Sequence, residues 1–184
     1  MTHRIIVAGT GGQGIMLLGK ILAEAAMQEG RNVTYLPAYG AEVRGGTANC
    51  MIVVSDSEIG SPLVQEADSL IVMNEPSLVR FAGTISKKGT IFVNGSLVPE
   101  SVTANRSRRF RFTDIAAGLG NLKVANMVAL GCFCEKTGLI GLETVIGIIE
   151  EHTPAEKKAA AALNKKALEA GAQLCREERQ PKNG

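Results

Sequence analysis

The chain has few of the residues from which most catalytic and metal sites are built. Its 184 residues include no tryptophan, two histidines and four cysteines. His3 and His152 have no visible partner of the kind a catalytic triad needs, and no two cysteines have C-x-x-C spacing. We therefore expect no catalytic residue and no bound metal in this chain. We expect buried free thiols at Cys50, Cys132, Cys134 and Cys175.

Long apolar runs and a strong charge of one sign are absent as well. No apolar stretch reaches the length of about 18 residues that a membrane helix needs, and no signal peptide is visible. The net charge of +2 is too small to indicate nucleic acid. We expect a cytoplasmic protein that binds neither membrane nor nucleic acid, with a single α/β domain over residues 1–179 and a disordered tail over 180–184.

Short apolar stretches alternate with helical patterns, which predicts a mostly parallel sheet. The stretches are rich in Ile, Val and Leu, as strands covered on both faces are. After residue 113 the pattern is helical. The expected fold class is α/β: a mostly parallel, Rossmann-like sheet with helices on both faces and a helical C-terminal part. The candidate strands are residues 4–8, 32–36, 48–54, 69–73 and 90–94.

Local signals also place turns and helix ends. Residues 56–57 indicate a turn, after which 58–59 would return as a short antiparallel strand. Residues 87–89, Lys-Lys-Gly, indicate a turn before the last strand. Thr153 is predicted to cap the last helix, which then ends at Gly171 or continues further.

Residues 9–14 read G-T-G-G-Q-G between an apolar run and a helical pattern that extends from Ile15 to about Gln28. This is G-x-G-x-x-G spacing in the context of strand, turn and helix. The glycines permit a tight turn and close approach of a ligand to the backbone. The amides of the first helical turn then favour an anion such as phosphate. The predicted cofactor-binding residues are Gly9, Gly11, Gly12, Gln13 and Gly14.

A dinucleotide site needs a further residue that this sequence does not offer. An acidic residue about 20 positions onward holds the ribose, but the second strand candidate runs into Pro-Ala at 37–38. A stand-alone Rossmann-type nucleotide-binding or redox protein stays as an alternative function. A loop that only closes a tight turn is another interpretation. Lys20, on the following helix, would add positive charge to a phosphate site or remain solvated.

Two other segments are open to more than one interpretation. Residues 37–49 are polar and glycine-rich and lie where parallel sheets gather their ligand loops. They form either a binding loop or a structural crossover in which Glu42 and Arg44 pair. Residues 106–111 contain four arginines. These could bind an anion or an acidic partner, but we favour a solvated edge strand guarded by charge.

The glycine-rich segments also carry a family resemblance. Residues 11–14 (G-G-Q-G) followed by 39–46 (Y-G-A-E-V-R-G-G) closely resemble the gamma subunit of 2-oxoacid:ferredoxin oxidoreductases, which include the pyruvate, 2-oxoglutarate and ketoisovalerate enzymes. The resemblance covers about residues 3–171. Further segments agree in the same order: residues 61–62, 67–68, 70–74, 120–121, 125–131 and 164–171.

The resemblance implies an accessory subunit of a hetero-oligomeric oxidoreductase. Alpha, beta and ferredoxin-like subunits would be its partners and would hold most of the thiamine diphosphate and iron–sulfur clusters. The complex would decarboxylate a 2-oxoacid, by overall similarity 2-oxoglutarate, to an acyl-coenzyme A and reduce ferredoxin. The glycine loop would then meet a phosphate of coenzyme A or a partner surface. The residues expected to contact the thiamine-bearing subunits are Tyr39, Glu42, Arg44, Gly45 and Gly46.

Overall fold

Six strands form one sheet in the computed structural model, which describes residues 1–38 and 47–179. The spatial order of the strands is β2-β3-β1-β4-β5-β6. Their bounds are β1 (Thr2–Thr10), β2 (Asn32–Ala38), β3 (Thr47–Ser55), β4 (Ala67–Val72), β5 (Ile85–Asn94) and β6 (Ser107–Phe110).

One strand of the sheet has the opposite direction. β1, β4, β5 and β6 pair in parallel, whereas β3 pairs antiparallel with both β1 and β2. The prediction of a mostly parallel sheet is confirmed, with β3 as the exception. Because β3 inserts between β1 and β2, it brings Thr47 opposite Thr10 at the edge where β1 ends.

Helices cover both faces of the sheet, as predicted, but very unequally. α1, α3, α4, α5 and α6 share one core with the sheet, which we call the thick face, and α2 lies on the other, the thin face. No helix within the described ranges is long and apolar enough to span a membrane. The helices are α1 (Ile15–Gln28), α2 (Glu75–Phe81), α3 (Phe112–Gly118), α4 (Ala125–Thr137), α5 (Leu142–His152) and α6 (Lys158–Arg179).

The thick face concentrates the few aromatic residues of the chain. Phe92 of β5 packs edge-on against Phe133 of α4, with ring centroids 5.7 Å apart. Phe110 stacks against both Phe92 and Phe112, at centroid distances of 6.0 Å and 5.4 Å. Since aromatic side chains bury large areas, this cluster anchors the last two strands to the helical layer.

α4 and α6 cross at two glycines. A Cβ on Gly131 would overlap the carbonyl oxygen of Leu168, and a Cβ on Gly171 would overlap the carbonyl oxygen of Val128. Each helix therefore contacts the backbone of the other without an intervening side chain. Gly171 does not end the helix, because this crossing requires a glycine inside α6, and the helix continues to Arg179.

Three local predictions are wrong. Residues 58–59 form no strand, because β3 is already paired on both edges and offers none to a returning strand. Residues 87–89 lie inside β5, where Gly89 accommodates a register shift: a Cβ there would lie 2.9 Å from the carbonyl oxygen of Ala67. Thr153 closes α5 instead of capping the next helix, since its Oγ1 donates to the carbonyl oxygen of Ile149 at 2.6 Å.

Candidate functional site

The glycine loop, residues 11–14, connects β1 to α1. The N–H of Gln13 donates to the carbonyl oxygen of Thr10 at 3.2 Å, which closes the turn. Gly12 and Gly14 have φ of +91° and +70°, a region that residues with a Cβ rarely adopt. A Cβ on Gly12 would meet nothing within 4 Å, so open space lies beside it. The predicted strand, tight turn and helix are confirmed.

Two of the predicted cofactor-binding residues shape the loop from within. Gly9 is buried in β1, where a Cβ would lie 2.6 Å from Oε1 of Gln13. Oε1 of Gln13 accepts a hydrogen bond from the N–H of Thr10 at 2.8 Å, and Nε2 donates to the carbonyl oxygen of Met73 at 3.2 Å. The side chain of Gln13 therefore braces the loop against β1 and the residue that follows β4.

Two buried asparagines tie the surrounding elements to this edge of the sheet. Asn94 is fully buried, and its Nδ2 donates to the carbonyl oxygen of Met73 at 3.3 Å and to Oγ1 of Thr113 at 2.8 Å. Asn126 of α4 donates from Nδ2 to the carbonyl oxygen of Gly14 at 3.2 Å. The sequence analysis missed Asn94, whose signal was a polar residue at the end of an apolar strand.

Clefts flank the glycine loop on both sides, with volumes of 270 Å³ and 490 Å³, and Gly12 and Lys123 line both. The smaller cleft is also lined by Gln13, Met73, Leu97, Thr113, Leu122 and Ala125. The larger is also lined by Gly14, Leu17, Asn121, Val124, Asn126, Ala159, Ala160, Leu163 and Asn164. The loop thus separates an apolar cleft from one that is rich in side-chain amides.

Lys123 is the charged residue of the site, and sequence analysis did not single it out. It is exposed, and among the described residues it is the one charged side chain that lines either cleft. Lys20, for which the sequence left open a charge at the phosphate site or a solvated position, pairs with Glu24 one turn further along α1 at 3.6 Å. Lys20 is therefore the solvated surface lysine of the alternative interpretation.

Large apolar side chains are exposed around the same loop. Leu17, Leu97 and Leu122 have exposed fractions of 49%, 48% and 60%. Each of them lines one of the two clefts. Exposed apolar side chains that converge on a cleft are typical of binding sites, whereas scattered ones are ordinary. This edge of the sheet therefore has the character of a covered or ligand-binding surface.

The described ends of the second predicted segment lie at this edge. Ala38 ends β2, and Thr47, which starts β3, pairs with Thr10 and accepts a hydrogen bond from Nη1 of Arg80 at 2.6 Å. The predicted partner-contact residues lie outside the described residues, and their role stays a prediction. They are Tyr39, Glu42, Arg44, Gly45 and Gly46.

The position of β2 bears on dinucleotide binding. In a Rossmann site the ribose-holding acid follows the strand next to β1. Here β3 occupies that place, so β2 lies two strand spacings from β1, about 10 Å at 4.8 Å per strand. The tip of β2, at Pro37 and Ala38, also carries no acid. Topology and composition together argue against a dinucleotide at the glycine loop.

The cysteines are free and buried, as predicted. Burial raises the pKa of Cys50 and of Cys134 to about 12, and the hydrogen bond to Cys175, together with burial, raises the pKa of Cys132. Because the thiolate is the reactive form, such thiols are poor nucleophiles. No three His, Cys, Asp or Glu side chains within residues 1–38 and 47–179 group closely enough to hold a metal ion.

Most of the arginines near β6 are held by the chain itself. β6 is an edge strand. Arg108 pairs with Glu178 at 3.6 Å, and Arg111 pairs with Asp114 at 2.6 Å. Arg109 donates to the carbonyl oxygens of residues 98 and 102. These three arginines are therefore held by internal contacts beside an edge strand, and the guarding of that edge by charge stays a prediction.

Fold and loop together define an α/β protein with a phosphate-type glycine loop at the carboxyl edge of its sheet. The sequence profile "Pyruvate ferredoxin/flavodoxin oxidoreductase" matches residues 4–174. Because this match spans most of the sequence, the chain belongs to that family, and the resemblance noted in the sequence is confirmed.

Individual relatives agree with this family assignment. The ketoisovalerate oxidoreductase subunit VorA of Methanothermobacter thermautotrophicus is 39% identical over 175 residues, which cover 95% of this chain and 36% of that protein. The 2-oxoglutarate synthase subunit KorC of Archaeoglobus fulgidus is 33% identical, covering 97% of this chain and 90% of that one. This chain thus spans about a third of the first relative and most of the second.

A solved structure agrees as well. The gamma subunit of a keto/oxoacid ferredoxin oxidoreductase from Geobacter sulfurreducens superposes with a TM-score of 0.81 at 27% identity. The superposition covers 95% of this chain and 99% of that one.

Proposed function

We propose that the chain is the gamma component of a 2-oxoacid:ferredoxin oxidoreductase that forms an acyl-coenzyme A and reduces ferredoxin. The family match over residues 4–174 carries the proposal, and the superposition on a solved gamma subunit supports it. The described residues offer no metal-binding group and no reactive thiol, so they do not fit an iron–sulfur cluster. We assign the clusters and thiamine diphosphate, which supplies the carbon chemistry, to partner subunits.

The contribution of this chain would be to position coenzyme A. The N-terminus of α1 carries a partial positive charge and free amides, and no side chain caps it. Lys123 stands beside the loop and lines both clefts. A phosphate at Gly12 would receive backbone hydrogen bonds and a lysine charge together. The exposed leucines would pack against the rest of the ligand or a partner subunit.

Anaerobic co-purification of the tagged chain from its native cells tests the subunit role first. Thiamine-binding and ferredoxin-like subunits should elute with it in a fixed ratio. Elution of the chain alone would contradict the proposal, whatever the glycine loop binds.

Kinetics of the assembled complex tests the coenzyme A site. Replacing Lys123 with glutamine should raise the KM for coenzyme A roughly tenfold, since a hydrogen bond to a charged group contributes about 1.5 kcal/mol or more. The KM for the 2-oxoacid should stay unchanged. Lys20→Gln removes the same charge from α1 outside the clefts and serves as the control. An unchanged KM for coenzyme A in Lys123→Gln would exclude this role.

The assembled complex also identifies the 2-oxoacid. Relatives named for ketoisovalerate and for 2-oxoglutarate both match over nearly the whole chain, and the expectation of 2-oxoglutarate stays a prediction. Turnover with 2-oxoglutarate, pyruvate, ketoisovalerate and an arylpyruvate would rank the substrates. Preference for ketoisovalerate would overturn that expectation while leaving the subunit role intact.

We also propose that the segment between β2 and β3 contacts the thiamine-bearing subunits. The described ends of this segment, at Ala38 and Thr47, flank the glycine loop edge. Arg44→Ala should weaken assembly or turnover of the complex. Normal assembly together with normal kinetics would remove this role from Arg44.

A stand-alone nucleotide-binding protein is the alternative, and the glycine loop itself favours it. The insertion of β3 between β1 and β2 argues against it. Calorimetry of the purified chain with NADH, NADPH and FAD decides between the two functions. We expect no heat of binding up to high micromolar ligand.

A further inference from the structure

A third cleft, of 520 Å³, lies at the opposite edge of the sheet from the glycine loop, where β5 and β6 begin. Its charged residues are Lys87 and Arg106, and none of its lining residues is acidic. The remaining lining residues are Ala82, Gly83, Ile85, Thr103, Ala104 and Asn105.

Among the described residues Lys87 and Arg106 have no internal partner, in contrast to the other arginines of the 106–111 segment. The other arginines of the 106–111 segment pair with carboxylates or bind backbone carbonyls. The side chains of Lys87 and Arg106 form no ion pair and no hydrogen bond with any residue of 1–38 or 47–179. Two positive charges therefore face one cleft without compensation from those parts of the chain.

The backbone at Arg106 is strained. Its φ is +67°, and among non-glycine residues of the described chain no other has a positive φ. The N–H of Ser107 donates to the carbonyl oxygen of Ala104 at 3.3 Å, which places Arg106 third in a turn where glycine or asparagine is preferred. This conformation costs roughly 1–2 kcal/mol. Because strained residues cluster at ligand sites, the arginine is a candidate for a ligand contact.

The spacing of the two cations suits a ligand with two phosphoryl groups. Ser107 pairs with Ile91 across β5 and β6, so the position opposite Arg106 is Thr90. Lys87 lies three residues before Thr90 in β5. At about 3.3 Å per residue, the two backbones are offset by about 10 Å. Long lysine and arginine side chains span such a gap from both ends.

We propose that this cleft is a binding site for an organic diphosphate, in which Lys87 and Arg106 each bind one phosphoryl group. Thr103 and Asn105 add a hydroxyl and an amide as neutral hydrogen-bond donors. This inference rests on the cleft alone and does not depend on the proposed oxidoreductase function.

Calorimetric titration of the full chain at low salt tests the site, with pyrophosphate and a nucleoside diphosphate as probes. We expect saturable binding with one site per chain. Lys87→Gln and Arg106→Gln should each weaken it about tenfold, as loss of a charged hydrogen bond does. Lys88→Gln removes one charge from the adjacent exposed position outside the cleft and should bind normally. Equal weakening in Lys88→Gln, or no saturable binding of either probe, would overturn the proposal.

Two further measurements separate binding from folding and define the ligand class. Arg106→Gly should raise the thermal midpoint, because glycine relieves the positive φ, and should still weaken diphosphate binding. Loss of binding with a lowered midpoint would instead indicate a structural role for Arg106. Inorganic phosphate should bind at least tenfold more weakly than pyrophosphate, and equal affinity would contradict a two-phosphoryl site.

Discussion

The two faces of the sheet differ in how they are covered. On the thick face, helices α1 and α3–α6 build a core that includes four of the five phenylalanines. On the thin face, one seven-residue helix and coil segments cover a smaller cluster that includes Val64 and Val98. Neighbouring strand residues supply the two cores in alternation, for example Ile5 and Val7 the first and Ile6 and Ala8 the second.

Because of this difference, we expect the thick face to be more rigid and the thin face to adapt more readily to a lost side-chain volume. Close-packed helices leave few ways to fill a lost volume, whereas coil can move into it. The glycine loop is tied to the thick face, since Asn126 of α4 binds the carbonyl oxygen of Gly14. The proposed diphosphate cleft is bordered by coil on the thin side.

The largest effect is expected at the crossing of α4 and α6 on the thick face. Gly171→Ala places a methyl group on the carbonyl oxygen of Val128, so the helices must move apart. We expect a loss of about 3 kcal/mol or more in the free energy of unfolding, at the upper end of overpacking costs. Urea denaturation measures it. Gly147→Ala in α5 meets nothing within 4 Å and should stabilise the chain by about 0.5–1 kcal/mol. An unchanged free energy of unfolding in Gly171→Ala would show that α4 and α6 can move apart without cost.

A matched pair of leucines compares the two cores directly. Leu22 of α1 on the thick face and Leu78 of α2 on the thin face are both buried. Leu22→Ala should cost about 4 kcal/mol and Leu78→Ala about 2 kcal/mol, because the coil near α2 can collapse into the cavity. Equal losses in urea denaturation would show that the thin face is as rigid as the thick one.

A matched pair of asparagines makes the same comparison for polar contacts. Asn126→Ala removes the hydrogen bond to the carbonyl oxygen of Gly14 and the one from the N–H of Met127, and should cost about 2 kcal/mol because both are lost from a buried side chain. Asn74 caps α2 through a hydrogen bond from the N–H of Ser77 at 3.0 Å, and Asn74→Ala should cost about 1 kcal/mol. Hydrogen exchange should show faster opening of the glycine loop in the first variant only. Faster exchange there in Asn74→Ala would break the comparison.

The smallest effect is expected from the pH dependence of His3 on the thick face. Burial lowers the pKa of His3, against an opposing contribution from Asp68. As the pH falls below about 6.5, the unfolded chain takes up this proton before the folded chain does. The contribution of His3 to the free energy of unfolding is therefore fully present above that pH. It declines as the pH falls towards the pKa of His3 in the folded chain. His3→Gln should lose less stability between about pH 7.5 and 5.5 than the unchanged chain. Parallel urea midpoints for the two chains would contradict this.

Local signals predicted most elements of the fold. The helical pattern from Ile15 to Gln28 coincides with α1, and the five strand candidates all fall on strands. The failures are non-local. Whether β3 would pair antiparallel between β1 and β2 depends on contacts far apart in sequence, and residues 58–59 were misassigned for the same reason. Gly89 was taken for a turn because its reason to be glycine lies in another strand, at Ala67.

The candidate site was predictable to the extent that backbone conformation defines it. Glycines at 12 and 14 signal positive φ in the sequence itself. Lys123 and Asn94 carry no such signal, because an ordinary lysine or asparagine becomes part of a site only when the fold brings it to a loop. Lys20 was the nearer lysine in sequence, yet helix α1 directs it to Glu24.

The crossing at Gly131 and Gly171 links the packing of α6 on α4 to the shape of the larger cleft. At Leu168 and Gly171 the helix contacts the backbone of α4, and its first half, which packs on the thick-face core at Leu163, forms one wall of the larger cleft. From Leu163 to Gly171 the helix spans eight residues, about 12 Å at 1.5 Å per residue. The position of this wall therefore depends on how closely two glycines let α6 approach α4. We expect a methyl group at either glycine to move a binding wall that it does not touch.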